Sequence, residues 1–248
     1  SVTKEGLDII ENAMQKSSWP ENSIVMGGLE CISGKRFKNL LDNSDNSEKT
    51  KRLPNNIASF NVNISFIYIK TNGKKLRKYY QPKMSSSPPE QRVQNQYRGS
   101  YLLLFRTKSI VFTQIICFDA IARSGNGLET MGDNMLTELK PYGSASRPLR
   151  IDICFVLQHN NKPNDACFKK FTKNLLERVG REVIIDTVVF VNSAANKLGC
   201  SERYGKSRFH FLTEKYQVPR KNTIDIPSTF SLKKEESIKY AQFREDGP

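Results

Sequence analysis

The sequence predicts an α+β fold: a mainly antiparallel sheet with a few helices packed on one face. Three observations carry this. Several segments alternate apolar and polar residues with β-branched or aromatic bias. An Asn-Gly pair joins two of them, Asn72-Gly73. Only short stretches repeat at helical spacing. At 248 residues, 38% hydrophobic and 26% charged, the chain has ordinary globular composition and is long enough to bury a core. No apolar run approaches the ~20 residues that cross a bilayer, and no secretion leader is expected.

Residues 3–16 read as an amphipathic helix, with Leu7, Ile10 and Met14 on one face and Thr3 as its cap. Residues 42–56, rich in Asn, Ser and Lys, read as a loop. Residues 60–70 and 75–81 form the hairpin around Asn72-Gly73, whose turn needs positive φ at both central residues. Residues 82–96 hold three prolines and a serine run and read as a flexible loop. Residues 100–106 and 109–118 are two further strands. The Gly-rich stretch 123–134 is loop-like, with one helical turn expected over 133–140. Strands follow at 149–157, 182–191 and 208–213. Between the first two, residues 164–179 carry the best helical pattern, capped by Asn164 or Asp165 and ended by Gly180. The tail is helical at 232–243 or irregular. The hairpins are expected to share one sheet. The predicted organisation is a lead-in over 1–56, a core domain over 57–218 and a tail over 219–248.

The five cysteines, Cys31, Cys117, Cys154, Cys167 and Cys200, are widely spaced. They read as reduced residues of a cytosolic or nuclear protein, with Cys117 and Cys154 as small core hydrophobes. Asn63-Ile64-Ser65 fits a glycosylation sequon within a predicted strand, where chance accounts for it.

The net charge of +14 is concentrated. Residues 70–108 hold ten basic residues against the single acid Glu90, and residues 197–221 hold seven against Glu202 and Glu214. Residues 1–48 are net acidic. A one-signed field can neutralise phosphates and release counterions. The expected contact residues are Lys70, Lys74, Lys75, Arg77, Lys78, Tyr79 and Tyr80 on the hairpin, then Arg98, Lys206 and Arg208. The partners this implies are nucleic acid or a ribonucleoprotein, with peripheral contact to an anionic membrane and self-assembly into a homo-oligomer.

Local signals for chemistry are sparse. His159 and His210 lack a third ligand at metal spacing, so no metal and no cofactor is expected. Gly125, Gly127 and Gly132 fit neither a dinucleotide fingerprint nor a phosphate loop. Asp119 follows a strand without a recognised motif, and Asp152 and Asp186 interrupt apolar strands, the pattern of a sheet's solvent face. Asp133 with Glu138-Leu139-Lys140 offers the one enzymatic alternative, a metal-dependent nucleic-acid-processing site.

From residue 149 the segments LRIDICFVL, FKKFTKNLLERVG, REVIIDTVVFV and RFHFLTEK run strand, helix, strand, short strand. With the basic hairpin before them, over roughly 60–215, this order resembles rhabdovirus-type matrix proteins. The resemblance implies a non-enzymatic basic assembly protein of the virion that condenses a nucleocapsid and coats a membrane leaflet. The family's proline-tyrosine motif is missing, since Pro88-Pro89 precedes Glu90-Gln91, and no site residue is transferred.

Overall fold

The computed structural model describes residues 4–16, 19–71, 75–87, 95–107, 110–120, 139–144, 146–158, 182–192, 207–211 and 223–226. At residues 4, 5, 192, 207–211 and 223–226 the backbone alone is described. The fold is α+β, with antiparallel pairings in the majority and two parallel ones. The chain forms two compact units, Ser1–Leu103 with Phe118–Gly132, and Leu104–Cys117 with Asp133–Pro248. These boundaries fall elsewhere than 56 and 218.

The first unit holds α1 (Lys4–Gln15), β1 (Ile24–Ser33), α2 (Gly34–Asp42), β2 (Asn61–Lys70) and β3 (Leu76–Pro82). The strands form an antiparallel sheet in the order β1-β2-β3. The hairpin appears as its spacing predicts, with Lys70 opposite Leu76, while its turn lies outside the described residues. Leu7 and Met14 of α1 are buried and Ile10 packs against the same core. The core continues through Phe37 and Leu41 of α2 to Val62, Ile64, Phe66 and Tyr68 of β2. The Ser33 hydroxyl caps α2, accepting the Arg36 N–H at 3.3 Å.

Sequence reading placed no element over 17–41, yet β1 and most of α2 lie there. Gly27, Gly28 and Glu30 break the strand pattern of IVMGGLECIS. Packing explains the first: a Cβ at Gly27 would lie 2.8 Å from the Phe66 ring. The 42–56 loop carries a 3-10 turn, Ser47–Arg52. The described part of the expected flexible loop is instead packed, with Lys83, Ser85 and Ser86 buried.

The second unit holds β4 (Leu104–Arg106), β5 (Val111–Ile116), β6 (Leu149–Gln158), β7 (Val183–Asn192), β8 (Ser207–Phe211) and β9 (Thr223–Ile226), paired in that order. The two hairpins therefore lie in different sheets, which corrects the expectation of one. β5, β6 and β7 run parallel. Their long apolar runs suit strands covered on both faces. Burial bears this out at Phe112, Ile115, Ile151, Cys154, Val156 and Val188. The Asp152 carboxylate accepts the Val111 N–H of the neighbouring strand. Asp186 pairs with exposed Arg150 at 2.9 Å. A short 3-10 helix lies at Lys140–Tyr142, whereas residues 133–138 of the expected helical turn lie outside the described residues. The tail contributes β9 rather than only a helix or irregular chain. The expected helices at 164–179 and 232–243 and the Gly-rich stretch 123–134 lie outside the described residues.

Candidate active site

The anion-binding residues expected from sequence separate in the structure. Lys70 is only 2% exposed, and its ammonium donates to the Lys16 and Trp19 carbonyls at 2.7 Å each. Tyr80 is buried, its hydroxyl 2.9 Å from that of Tyr68. Burial pushes the Tyr80 hydroxyl up to about 12. Lys78 pairs with Glu11 at 3.1 Å, and its backbone N–H donates to the Asp45 carboxylate at 2.8 Å. Arg77 and Tyr79 hydrogen-bond to each other. Lys75, Arg77 and Arg98 are exposed. Arg208 is placed by backbone alone, opposite Asp225 of β9. Lys74 and Lys206 lie outside the described residues, as do His159, Asp133 and Glu138. Within the basic run from 70 to 108, Lys78 is thus met in space by Glu11 and Asp45 of the first 48 residues. Sequence distance hid that neutralisation.

A different set of groups converges in the first unit. The register of β1 on β2 passes from Leu29 opposite Ile64 to Ile32 opposite Val62. Glu30 and Cys31 therefore share the single partner Asn63 in a bulge, and Cys31 takes φ 53°. Bulges re-aim side chains and recur beside active sites. The Asn63 side-chain oxygen accepts the Cys31 N–H at 2.7 Å, and its backbone carbonyl accepts the Lys83 N–H at 2.8 Å. The Lys83 carbonyl in turn accepts the Gly99 N–H at 2.8 Å. One row thus crosses Glu30-Cys31, Asn63 and Lys83. Lys83 is 5% exposed, an ionisable group drawn inside.

Asp119, fully buried, stands beside it. The Met84 and Ser85 backbone N–H groups donate to its carboxylate, at 3.1 and 2.6 Å. Burial raises the Asp119 carboxyl to about 7, against the opposing pull of those donors and of Lys83. A buried carboxyl perturbed in this way beside a specific charge partner marks a candidate functional site.

In the second unit, the carboxyl edge of the parallel strands holds another row. Ile116 pairs with Leu157 and Gln158 with Asn192, so Cys117 follows β5 at the level of Gln158. Ligands of parallel sheets gather outside these strand ends. Cys117 has φ 44°, in the left-handed region that L side chains rarely adopt. It opens the one-turn 3-10 helix Cys117–Ala120, in which Asp119 also lies. It is half-buried, whereas Cys154 lies within the core, its thiol pushed by burial up to about 12. Among the described residues, no three His, Cys, Asp or Glu side chains group to hold a metal ion.

Sequence reading took Cys117 for a core hydrophobe, counted Lys83 only as charge, and gave Glu30 and Gln158 no role. The signal present was a strand ending in Cys-Phe-Asp. What sets Cys117 apart is a positive φ at the carboxyl end of a parallel-paired strand, which its residue type does not declare.

No family model and no curated protein matches the chain. Among solved structures, a CN-hydrolase superfamily protein from Xanthomonas campestris is similar at a TM-score of 0.36 and 11% identity, over 67% of this chain and 55% of that one. Glutamine-dependent NAD+ synthetase from Acinetobacter baumannii is similar at 0.40 and 10%, over 90% and 46%. An amidase from Nesterenkonia sp. AN1, described with acrylamide added at its active-site cysteine, is similar at 0.38 and 8%, over 84% and 79%. The chain spans about half the length of the first two. These neighbours are described as a CN-hydrolase superfamily protein, a synthetase and an amidase; the expectation of a non-enzymatic, matrix-like RNA-binding assembly protein of the virion has no counterpart among them and is not carried further. Likenesses of this degree assign this chain to no family.

Proposed function

We propose that the protein is a thiol-nucleophile enzyme of acyl transfer, with Cys117 as the attacking group. The observation that carries this is the Cys117 backbone: a non-glycine residue at φ 44°, at the carboxyl end of a parallel-paired strand and at the start of a helical turn. A strained strand-to-helix turn is how nucleophile elbows present a reactive side chain above a sheet. A residue held in such a backbone costs of order 1–3 kcal/mol and persists where the surrounding structure imposes it.

In this reading the Cys117 sulfur adds to the carbonyl carbon of an acyl compound. The leaving group departs with the thiol proton, and a thioester remains. Water then attacks the thioester, releases the acid and returns a proton to sulfur. One ionisable group stands close along the chain. Asp119 is two residues on, so covalent geometry alone keeps its Cα within about 7 Å of that of Cys117. Asp119 touches the segment that begins with Lys83. Asp119 is a positioning residue that holds 83–85 in place.

p-Nitrophenyl acetate tests the mechanism. The expected result is a burst of about one equivalent of p-nitrophenolate per chain, with an acetyl group on Cys117 by mass spectrometry. Cys117→Ala abolishes the burst. A burst that survives in Cys117→Ala overturns the proposal.

A further inference from the structure

Gln158 is the last residue of β6, at the carboxyl edge of the parallel strands and on the level of Cys117. It is 6% exposed. Neither its Nε2 nor its Oε1 has a hydrogen-bond partner among the described residues. A carboxamide offers two donors and an acceptor, and burying it unmatched is costly. Such a group in a strand end, where a smaller or apolar residue would cap the sheet at no such cost, is a site awaiting a partner. Its neighbours in β6, Val156 and Leu157, are buried and apolar.

We infer that Gln158 is a substrate-recognising residue whose carboxamide pairs with a carboxamide-like group, a donor beside an acceptor, on the compound that reaches Cys117. This rests on the reading of Cys117 as nucleophile and deepens it by naming the chemical class recognised. Two features favour an amide over a carboxylate. An amide matches the donor and the acceptor of Gln158 at once. A carboxylate would leave Oε1 facing a second acceptor and would bring an uncompensated charge into a buried position. A site built around such a pair rejects compounds that lack it, because its own buried groups are then left unmatched.

The test uses the labelling rate of Cys117, read by site-resolved mass spectrometry on the full chain. Iodoacetamide carries a carboxamide; methyl methanethiosulfonate does not. Iodoacetamide labelling of Cys117 should saturate with reagent concentration in the wild type. Gln158→Leu should remove saturation and slow labelling at least tenfold, while methyl methanethiosulfonate labels within about twofold of wild type. Propionamide should protect Cys117 from methyl methanethiosulfonate in the wild type and not in Gln158→Leu. Cys31, exposed, serves as the internal standard. Gln158→Leu should also melt at the same or a higher temperature, since an unmatched polar group is removed; a misfolded variant would show as a loss of that transition. Gln158→Glu, of the same shape, should lose the iodoacetamide preference too. If Gln158→Leu changes both reagents equally, or neither, recognition by Gln158 is overturned while the nucleophile stands. If Cys117 labels with neither reagent while Cys31 labels, the nucleophile reading fails and recognition fails with it.

Discussion

At Asp119, burial and hydrogen bonding pull in opposite directions. Burial favours the neutral acid, and the Met84 and Ser85 donors and Lys83 favour the anion; burial prevails and the carboxyl rises from 3.8 to about 7. Between about pH 4 and 7 the folded chain thus holds a proton that the unfolded chain has released. The resulting stabilisation is complete below about pH 4 and fades as pH rises through 7. We expect urea denaturation to show the wild type losing about 2–3 kcal/mol from pH 5 to pH 8 relative to Asp119→Asn, from the roughly two pH units between 5 and 7 over which the folded carboxyl alone holds its proton, at 1.36 kcal/mol each. Parallel slopes for the two proteins would refute this. The residue scale is also where sequence reading failed most. Cys117, Glu30, Lys83 and Gln158 carry no local motif, because φ, bulge register and the lack of a partner are products of tertiary structure.

Elements were legible wherever their side-chain period was complete. β2 and β3 follow from alternation and Asn-Gly, and α1 from Leu7, Ile10 and Met14. β1 was hidden by its glycines and by Glu30, whose places are set by Phe66 and Asn63 across the sheet. The individual strands β5, β6 and β7 were legible, but their parallel pairing was not, since apolar runs state burial and not partner. The junction of β1 and α2 gives a test at this scale. A Cβ on Gly34 would lie 1.8 Å from the Ile57 carbonyl oxygen, and the Gly34 N–H donates to the Phe60 carbonyl at 2.8 Å. Neither backbone can retreat without opening the hydrophobic cluster that includes Ile57. Gly34→Ala should destabilise by about 2–3 kcal/mol or more, as overpacking against fixed atoms does, measured by thermal melting. An unchanged melting temperature would show that Ile57 yields freely.

At the scale of the molecule, each unit is built from two stretches of chain. Residues 104–117 belong to one unit between two stretches of the other. The sequence-based division at 56 and 218 assumed contiguous domains and had no means of seeing this exchange. The fragment 1–103 contains all three strands of its sheet and lacks Asp119. Its Met84 and Ser85 amides should therefore exchange with solvent deuterium at least tenfold faster than in the full chain, while those of Ile64 and Phe66 keep most of their protection. Equal protection of Met84 in both would show that the 83–85 segment is held by the sheet alone.

The Asp119 anchor also fixes an order of events during synthesis. The Ser85 amide and the carboxylate that receives it are 34 residues apart. At 5–20 residues per second, the ribosome delivers Asp119 about 2–7 s after Ser85. For that interval the hairpin can close, because β2 and β3 are already present, but the segment after it has no receiver. The 83–85 segment therefore docks only once Asp119 has been made, later than the hairpin that precedes it.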